Sequence, residues 1–417
     1  MLLIPRGTKM DKSDEADGSS RLDRVNSQIN DRIWKKVARP LAEGVTISEE
    51  ELSEMRHVVE QEPTSMFVNT LAAAELRAGN LDKAMEACRR SIALVTEGKE
   101  NGLSYSSDYA MLTLIFLKNE NREEAEENYA LFEKAFANEK AGQAQRGLTA
   151  DDHSFAVEVK RALLGSDHLE TLLAERDFGL ALTQNNQHGT AEKTLSAVIL
   201  SLEGKLGRQQ KDTQLAISYL GYCLRSMDRD AEAIPLLEEA YRFGREDEAF
   251  SWLASNLRYA YVQAKKLVEY DQWVTSEYLP TLRKSSAQNV LSLAKAMGEV
   301  GEDYYKLDDF EKSEKLLLEA SEIAEKNDTS GVDEAKIRSL LGKVYIAAKK
   351  YDEAQRQLER VHMSLMEYEW TNPLERSEIM LENLDRLILL YHERMDAAGE
   401  RRYRSLKQSY EEKMSAR

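Results

Sequence analysis

The stretch MGEVGEDYYKLDDFEKSEKLLLEA, residues 297–320, decides the fold of this chain. Residues 338–361 repeat its pattern as RSLLGKVYIAAKKYDEAQRQLERV. Each stretch has a glycine at its fifth place and a small residue, Ser313 or Ala354, at its seventeenth. Large apolar residues fall at helical spacing on both sides of a polar turn. The pattern predicts two antiparallel helices, with small residues where the helices approach each other.

The same small residue recurs along the chain inside charged segments. These landmark residues are Ala84, Ala125, Ala191, Ala233, Ser313 and Ala354. Three steps between them are 41 or 42 residues; the step of 66 fits one period plus an insertion, and the step of 80 fits two periods around a degenerate copy at 247–285. A fixed period of this size indicates a solenoid, in which hairpins bury their apolar faces by stacking. The predicted working part is therefore an extended surface and not a catalytic pocket.

Composition narrows the possible functions. The 417 residues include 57 Lys and Arg against 74 Asp and Glu, a formal net charge of −17. This acidity argues against a nucleic-acid partner, because phosphate binding needs an excess of cations. Six prolines and 20 glycines are few for this length, which disfavours a mostly β architecture. No apolar run is long enough to predict a membrane span or a signal peptide, so we expect a cytoplasmic protein. Cys88 and Cys223 fall at apolar helical places and are expected to be buried free thiols.

From residue 65 onward the pattern resembles the tetratricopeptide repeat, two antiparallel helices with large and small residues at fixed places. The period of 40 to 42 resembles the kinesin-light-chain type of this repeat. So does the segment LGSDHLET at 164–171, because such repeats are joined by Leu-Gly-x-Asp-His-x-x-Thr; residues 206–213 keep only the ends of that linker. The resemblance implies an all-α, right-handed superhelix of about seven to eight helical hairpins.

Applied along the chain, this resemblance predicts a segmental organisation. Residues 1–20 are expected to be disordered, 21–64 to form N-terminal helices, 65–137 to form two hairpins, 138–170 to be an insertion or linker, 171–373 to form the kinesin-light-chain-like array, and 374–417 to be a capping hairpin. Ser48 and Glu51 form a capping-box pattern that predicts the start of a helix ending before Pro63.

The resemblance also implies where a partner binds. In this repeat the first helix of each hairpin lines a concave groove. The groove residues that it implies are Asn69, Arg77, Arg176, Tyr222, Arg225, Glu302, Tyr305, Lys336 and Lys343. Cations and tyrosines inside an acidic protein favour a protein or peptide partner with acidic side chains or a C-terminal carboxylate, since Arg forks to carboxylates. The alternative is that these are ordinary solvated residues of the groove.

No catalytic constellation is predicted, and neither a metal nor a cofactor is expected. Asp177-Phe178-Gly179 spells the magnesium-binding triplet of protein kinases, but a glycine-rich loop and a His-Arg-Asp loop are missing. Phe178 and Gly179 fill two places of the repeat instead. His168 is expected to shape the turn into the next helix, and Asp151–His153 to form a solvated loop. The chain is therefore predicted to be a non-catalytic scaffold or adaptor.

A second class of function remains open. The stretches 69–73, 108–117 and 384–407 resemble the tetratricopeptide regions that accompany bacterial Ser/Thr protein kinases. Under this alternative the chain is a sensor or docking region related to such a kinase, without the catalytic domain.

Overall fold

A computed structural model describes residues 46–61, 63–96, 105–141, 150–285, 289–327, 331–367 and 373–415. In these ranges the regular structure is entirely helical, as the all-α prediction requires. The segment 1–20 and residues 21–45 of the expected N-terminal helices lie outside them. No helix among the described residues is long and apolar enough to cross a lipid bilayer. The chain divides into two compact units, Met1–Cys223 and Leu224–Arg417.

The first unit is a series of antiparallel helices. They are α1 (Glu49–Gln61), α2 (Ser65–Ala78), α3 (Leu81–Thr96), α4 (Ser106–Lys118), α5 (Arg122–Lys140), α6 (Ala150–Leu164), α7 (Leu169–Gln184), α8 (His188–Leu206) and α9 (Lys211–Arg225), within which the sequence boundary between the units falls. The helices pack as hairpins α2/α3, α4/α5 and α7/α8, while α6 packs between α4 and α7. The segment expected to be an insertion therefore contributes a helix of its own.

The second unit continues the same arrangement. It contains α10 (Asp230–Gly244), a 3₁₀ turn (Glu248–Phe250), α11 (Leu253–Gln263), α12 (Leu267–Trp273), a π-helical turn (Val274–Tyr278), α13 (Leu279–Ser285), α14 (Val290–Lys306), α15 (Phe310–Asn327), α16 (Val332–Ala347), α17 (Tyr351–Glu367), α18 (Pro373–Glu393) and α19 (Ala397–Ser415). The hairpins α14/α15, α16/α17 and α18/α19 stack on one another, so each buries the apolar face of its neighbour.

The landmark residues occupy the contact between the two helices of a hairpin. Ala84, Ala125, Ala191, Ala233, Ser313 and Ala354 are all fully buried. Ser313 keeps its hydroxyl there because its Oγ donates a hydrogen bond to the carbonyl oxygen of Gly301 at 2.7 Å. The sequence landmark is therefore a packing position, at which a larger side chain would push the helices apart.

Two linkers explain why only the ends of the Leu-Gly-to-Thr segment recur. Gly165 and Gly207 have φ angles of +97° and +93°, which favour glycine. The hydroxyl of Thr171 donates to the carbonyl oxygen of Gly165 at 2.8 Å, and Thr213 makes the same bond to Gly207 at 3.0 Å. His168 caps α7 by accepting a hydrogen bond from the backbone N–H of Glu170, which confirms its expected role in the turn.

The degenerate copy at 247–285 has a distorted second helix. Pro280 has no N–H to give to the carbonyl of Ser276, so the regular helical ladder cannot continue. The backbone N–H of Leu279 instead bonds to the carbonyl of Val274, five residues back. In this copy large buried aromatic side chains, including Tyr261 and Trp273, pack where the other copies have small residues.

Several local predictions can be compared with the structure. The side chain of Glu51 accepts hydrogen bonds from the backbone N–H and hydroxyl of Ser48, which confirms the capping box. Cys88 and Cys223 are buried thiols that take part in no disulfide, as expected. The expectation of a solvated loop at Asp151–His153 is wrong. These residues lie in α6, where Asp152 is buried and His153 packs edge-on to Phe136 at 5.5 Å, because α6 must cover the adjoining helices.

Candidate functional site

A groove in the second unit is the candidate site. The first helices of three successive hairpins, α14, α16 and α18, line a cavity of about 610 Å³. We call this cavity the C-terminal groove; its lining residues are Lys295, Gly298, Glu299, Glu302, Asp333, Lys336, Ile337, Ser339, Leu340, Lys343, Ile379, Glu382 and Arg386. The period of the repeat places these side chains together, because residues about one period apart take the same position on consecutive first helices.

The floor of the C-terminal groove is apolar. Ile337 on α16 and Ile379 on α18 are each 5% exposed. Gly298 on α14 lets Ile337 approach, since a Cβ built on this glycine would lie 3.1 Å from Cγ1 of Ile337. These almost fully buried side chains close the base of the groove without filling it.

Ion pairs line part of the groove wall. Nζ of Lys295 lies 3.1 Å from Asp333, and Nζ of Lys306 lies 3.2 Å from Glu302 on the same helix. Lys336 pairs with Glu375 at 2.6 Å. The lysines of these pairs are about half-exposed, so each ion pair contributes little to stability. Little free energy would therefore be lost if a ligand group replaced one member of a pair.

Lys343 and Arg386 form the positive centre of the groove. Lys343 makes no ion pair with any residue in the described ranges, and its Nζ lies over the ring of Tyr305, 4.6 Å from the centroid. Burial lowers the pKa of Lys343, and the positive charge of Arg386 lowers it further. Burial likewise lowers the pKa of Arg386, whose guanidinium pairs with Glu382 at 3.1 Å and donates to the hydroxyl of Ser339. The charge of Arg386 disfavours the charged form of Lys343, and the nearby Glu302 and Glu382 offset part of this effect.

Four of the nine residues predicted to bind a partner meet at this groove. Glu302, Lys336 and Lys343 line it, and Tyr305 lies beneath the ammonium group of Lys343. All four come from the copies with the clearest repeat pattern, where the inward places of the first helix are easiest to assign.

The other five predicted residues lie elsewhere and make internal contacts. Asn69 donates to the side chains of Ser107 and Asp108, and Arg77 lies over the ring of Phe155 at 5.7 Å. Tyr222 is half-buried on α9. Arg225 lies 4.7 Å from the ring centroid of Tyr259, and Arg176 is 8% exposed in ion pairs with Asp177 and Asp212. The predicted role of these five residues in binding a partner stays a prediction.

Arg386, the second cation of the positive centre, was not among the residues predicted from the sequence. Residues 374–417 were expected to be a capping hairpin, although α18 lines the groove as the first helices before it do. Arg386 follows Lys343 by about one repeat period, and Lys343 follows Glu302 by one period. Extending the period through the last hairpin would have found it.

Comparison with known families supports the repeat assignment. Residues 292–362, which span α14 to α17 almost completely, match the family model described as tetratricopeptide repeat. This part of the chain therefore carries tetratricopeptide repeats, the helical-hairpin module of protein-interaction scaffolds. No curated protein matches the chain.

Several solved structures are similar to this chain at low sequence identity. A putative kinesin light chain from Podosopora anserina with nearly identical TPR-like repeats is 14% identical, covers 58% of this chain and 96% of its own, and has a TM-score of 0.33. BtubC (BKLC) from P. vanneervenii is 15% identical over 64% of this chain and 92% of its own, with a TM-score of 0.34. A Rap protein complexed with competence and sporulation factor is 13% identical over 94% and 99%, with a TM-score of 0.26. At these TM-scores the comparisons carry no conclusion about a partner.

Proposed function

We propose that this chain is a cytoplasmic, non-catalytic interaction scaffold whose C-terminal groove binds a peptide or protein segment. The segment carries an acidic side chain or a C-terminal carboxylate that binds between Lys343 and Arg386. The observation that supports this proposal is the positive centre itself, in which Lys343 has no ion-pair partner among the described residues.

The physical argument rests on charge compensation in a partly dehydrated site. A carboxylate between the two cations would form charge-assisted hydrogen bonds, with Arg386 as a planar fork and Lys343 as a point charge. It would also remove the repulsion that lowers the pKa of Lys343. The partly exposed Leu340 and the ring of Tyr305 would supply the apolar contact area that charge alone does not give.

Binding of defined peptides tests this proposal. Peptides selected from a random library with free C-termini would be measured by calorimetry, and each would be remade with its acidic groups amidated. We expect amidation to weaken binding at least tenfold. Lys343→Glu and Arg386→Glu should weaken it by a similar factor, because each variant reverses the charge at the positive centre.

The matched control is Lys315→Glu, the same charge reversal at an exposed site on α15, a second helix of a hairpin. This variant should bind the acidic peptides as the unmodified chain does. Selected peptides without acidic groups, or equal losses in the control and the groove variants, would contradict the proposal.

The relation to bacterial Ser/Thr kinases stays a prediction. The reading frame upstream of the codon for Met1 would decide it, since a glycine-rich loop and a His-Arg-Asp motif there would identify the missing catalytic domain.

A further inference from the structure

The first unit buries a carboxyl group that the scaffold function does not use. Asp108, in the first turn of α4, has no exposed surface. Its Oδ1 lies 2.7 Å from Nδ2 of Asn69 on α2, and its Oδ2 lies 2.8 Å from Oγ of Ser91 on α3. The carboxyl group therefore joins three helices at one junction, and both of its direct partners are neutral.

No cation balances a charge at this junction. Among the described residues no Lys or Arg forms an ion pair with Asp108. The titratable groups that face it from the packed helices are Cys88 on α3, Glu139 on α5 and Asp152 on α6, all buried. On α4 itself Tyr109 is adjacent. Each of these groups is neutral or acidic, so an ionised Asp108 would be a buried and uncompensated negative charge.

Ser91 links this junction to α2. Its Oγ lies 2.8 Å from Oδ2 of Asp108 and 3.3 Å from the carbonyl oxygen of Ser65. The hydroxyl has only one hydrogen, so it donates to one of these two acceptors at a time. A protonated Asp108 can donate its own O–H to Ser91, whose hydrogen then goes to Ser65. The junction therefore accommodates the neutral acid without the loss of a hydrogen bond.

We propose that this junction is a proton switch: Asp108 is a neutral acid in the folded first unit, and its ionisation weakens the packing of α2, α3 and α4. Burial raises the pKa of this carboxyl to about 7; the hydrogen bonds from Ser91 and Asn69 oppose this rise, and the nearby Glu139 and Asp152 add to it. An unfolded aspartate ionises near pH 4. Between these two values the unfolded chain has released a proton that the folded unit still holds, so the stability of the unit falls as the pH rises from about 4 and levels off only above about 7.

The switch would act on the concave groove that the tetratricopeptide resemblance implies. Asn69, one of the residues predicted to line the concave groove, holds Asp108 through its side-chain amide. Since α2 and α4 are the first helices of consecutive hairpins, weakening their junction would change how that part of the groove is presented.

Hydrogen exchange on the full chain tests the switch. Protection factors of amides in α2, α3 and α4, corrected for intrinsic exchange, would be measured at pH 6 and pH 8. For a carboxyl that ionises at about 7 in the folded state, we expect them to fall about tenfold over this range. Amides of α14 to α17 in the second unit serve as an internal reference. In Asp108→Asn the fall should shrink to less than twofold, because the side chain no longer titrates.

Glu127→Gln is the matched control, since it removes an exposed carboxylate from α5 and should leave the tenfold fall intact. The same comparison cancels the titration of His153 on α6, which is common to all three proteins. A wild-type junction whose protection is equal at pH 6 and pH 8 would overturn the proposal without any variant. An equal fall in Asp108→Asn would also overturn it.

Discussion

Gly179 and Leu195 are in contact because the glycine has no side chain. A Cβ built on Gly179 would lie 2.5 Å from Cγ of Leu195, closer than two carbon atoms can pack. The same relationship recurs twice with the same spacing of sixteen residues. A Cβ built on Gly301 would lie 2.6 Å from Cγ of Leu317, and a Cβ built on Gly342 would lie 2.6 Å from Cγ of Leu358. It explains the kinase-like triplet at 177–179, whose glycine is a packing residue between α7 and α8.

Gly179→Ala should destabilise the first unit. The added methyl group must displace a leucine that is fully buried, and overpacking of this kind costs about 1 to 3 kcal/mol. Gly204→Ala is the matched control, because a Cβ on this helical glycine of α8 would contact nothing within 4 Å. It should raise the free energy of unfolding by about 0.5 to 1 kcal/mol through helix propensity. Chemical denaturation measures both; an equally stable Gly179→Ala protein would contradict the packing argument.

Each linker threonine should stabilise the fold through one hydrogen bond to a glycine carbonyl. Thr171→Val and Thr213→Val remove the bonds to Gly165 and Gly207 while keeping the shape of the side chain. Each is expected to lower the free energy of unfolding by about 1 kcal/mol, since it leaves a carbonyl oxygen without this donor. Thr190→Val, at an exposed site, should have an effect near zero. Thermal melts would show whether the two linker variants are less stable than Thr190→Val.

A buried ion pair should matter far more than an exposed one in the second unit. Nε of Arg258 lies 2.6 Å from Oδ2 of Asp303, which also accepts a hydrogen bond from the hydroxyl of Tyr270 at 2.9 Å. Asp303→Asn leaves a buried guanidinium with less compensation and should cost about 3 kcal/mol. Glu246→Gln breaks the exposed pair with Lys284 and should cost less than about 0.5 kcal/mol. Similar losses in urea denaturation would show that burial does not govern these pairs.

Acid should loosen the last helix. Burial lowers the pKa of His362 on α17, and the positive charge of Arg402 lowers it further. A histidine with a lowered folded pKa is neutral in the folded state, so its contribution to stability is lost as the pH falls below the unfolded value near 6.5. Hydrogen exchange in α19 should therefore increase relative to intrinsic rates between pH 7.5 and pH 5.5. In His362→Phe this increase should disappear; its persistence would assign the effect to another group.

The sequence was a good guide to the fold because the repeat states the same packing rule several times. The landmark alanines, the glycines at 301 and 342, and the Leu-Gly-to-Thr linkers each lie where their chemistry required. The sequence was a poor guide at α6, where Asp151–His153 seemed polar enough for a loop. A helix that packs against neighbours on several sides can bury polar residues, and the periodicity of the sequence does not predict this burial.

The candidate site was found in part for the same reason. Glu302, Tyr305, Lys336 and Lys343 came from well-formed copies, and the structure brings them together. Arg386 was missed because the last hairpin had been interpreted only as a cap. The network at Asp108 could not be predicted, since it depends on three side chains from three helices meeting within hydrogen-bond distance.

The sequence by itself determined the helical hairpins, their period and the positions of small residues, because helix periodicity and close approach are local properties that repeat along the chain. The tertiary structure alone decided which of the inward-facing cations are held in ion pairs. Arg176 and Lys343 look alike in the sequence. Arg176 is buried in two ion pairs, because Asp177 and Asp212 come within reach of its guanidinium. Lys343 has no ion pair among the described residues; its ammonium lies over the ring of Tyr305, with Arg386, Glu302 and Glu382 nearby.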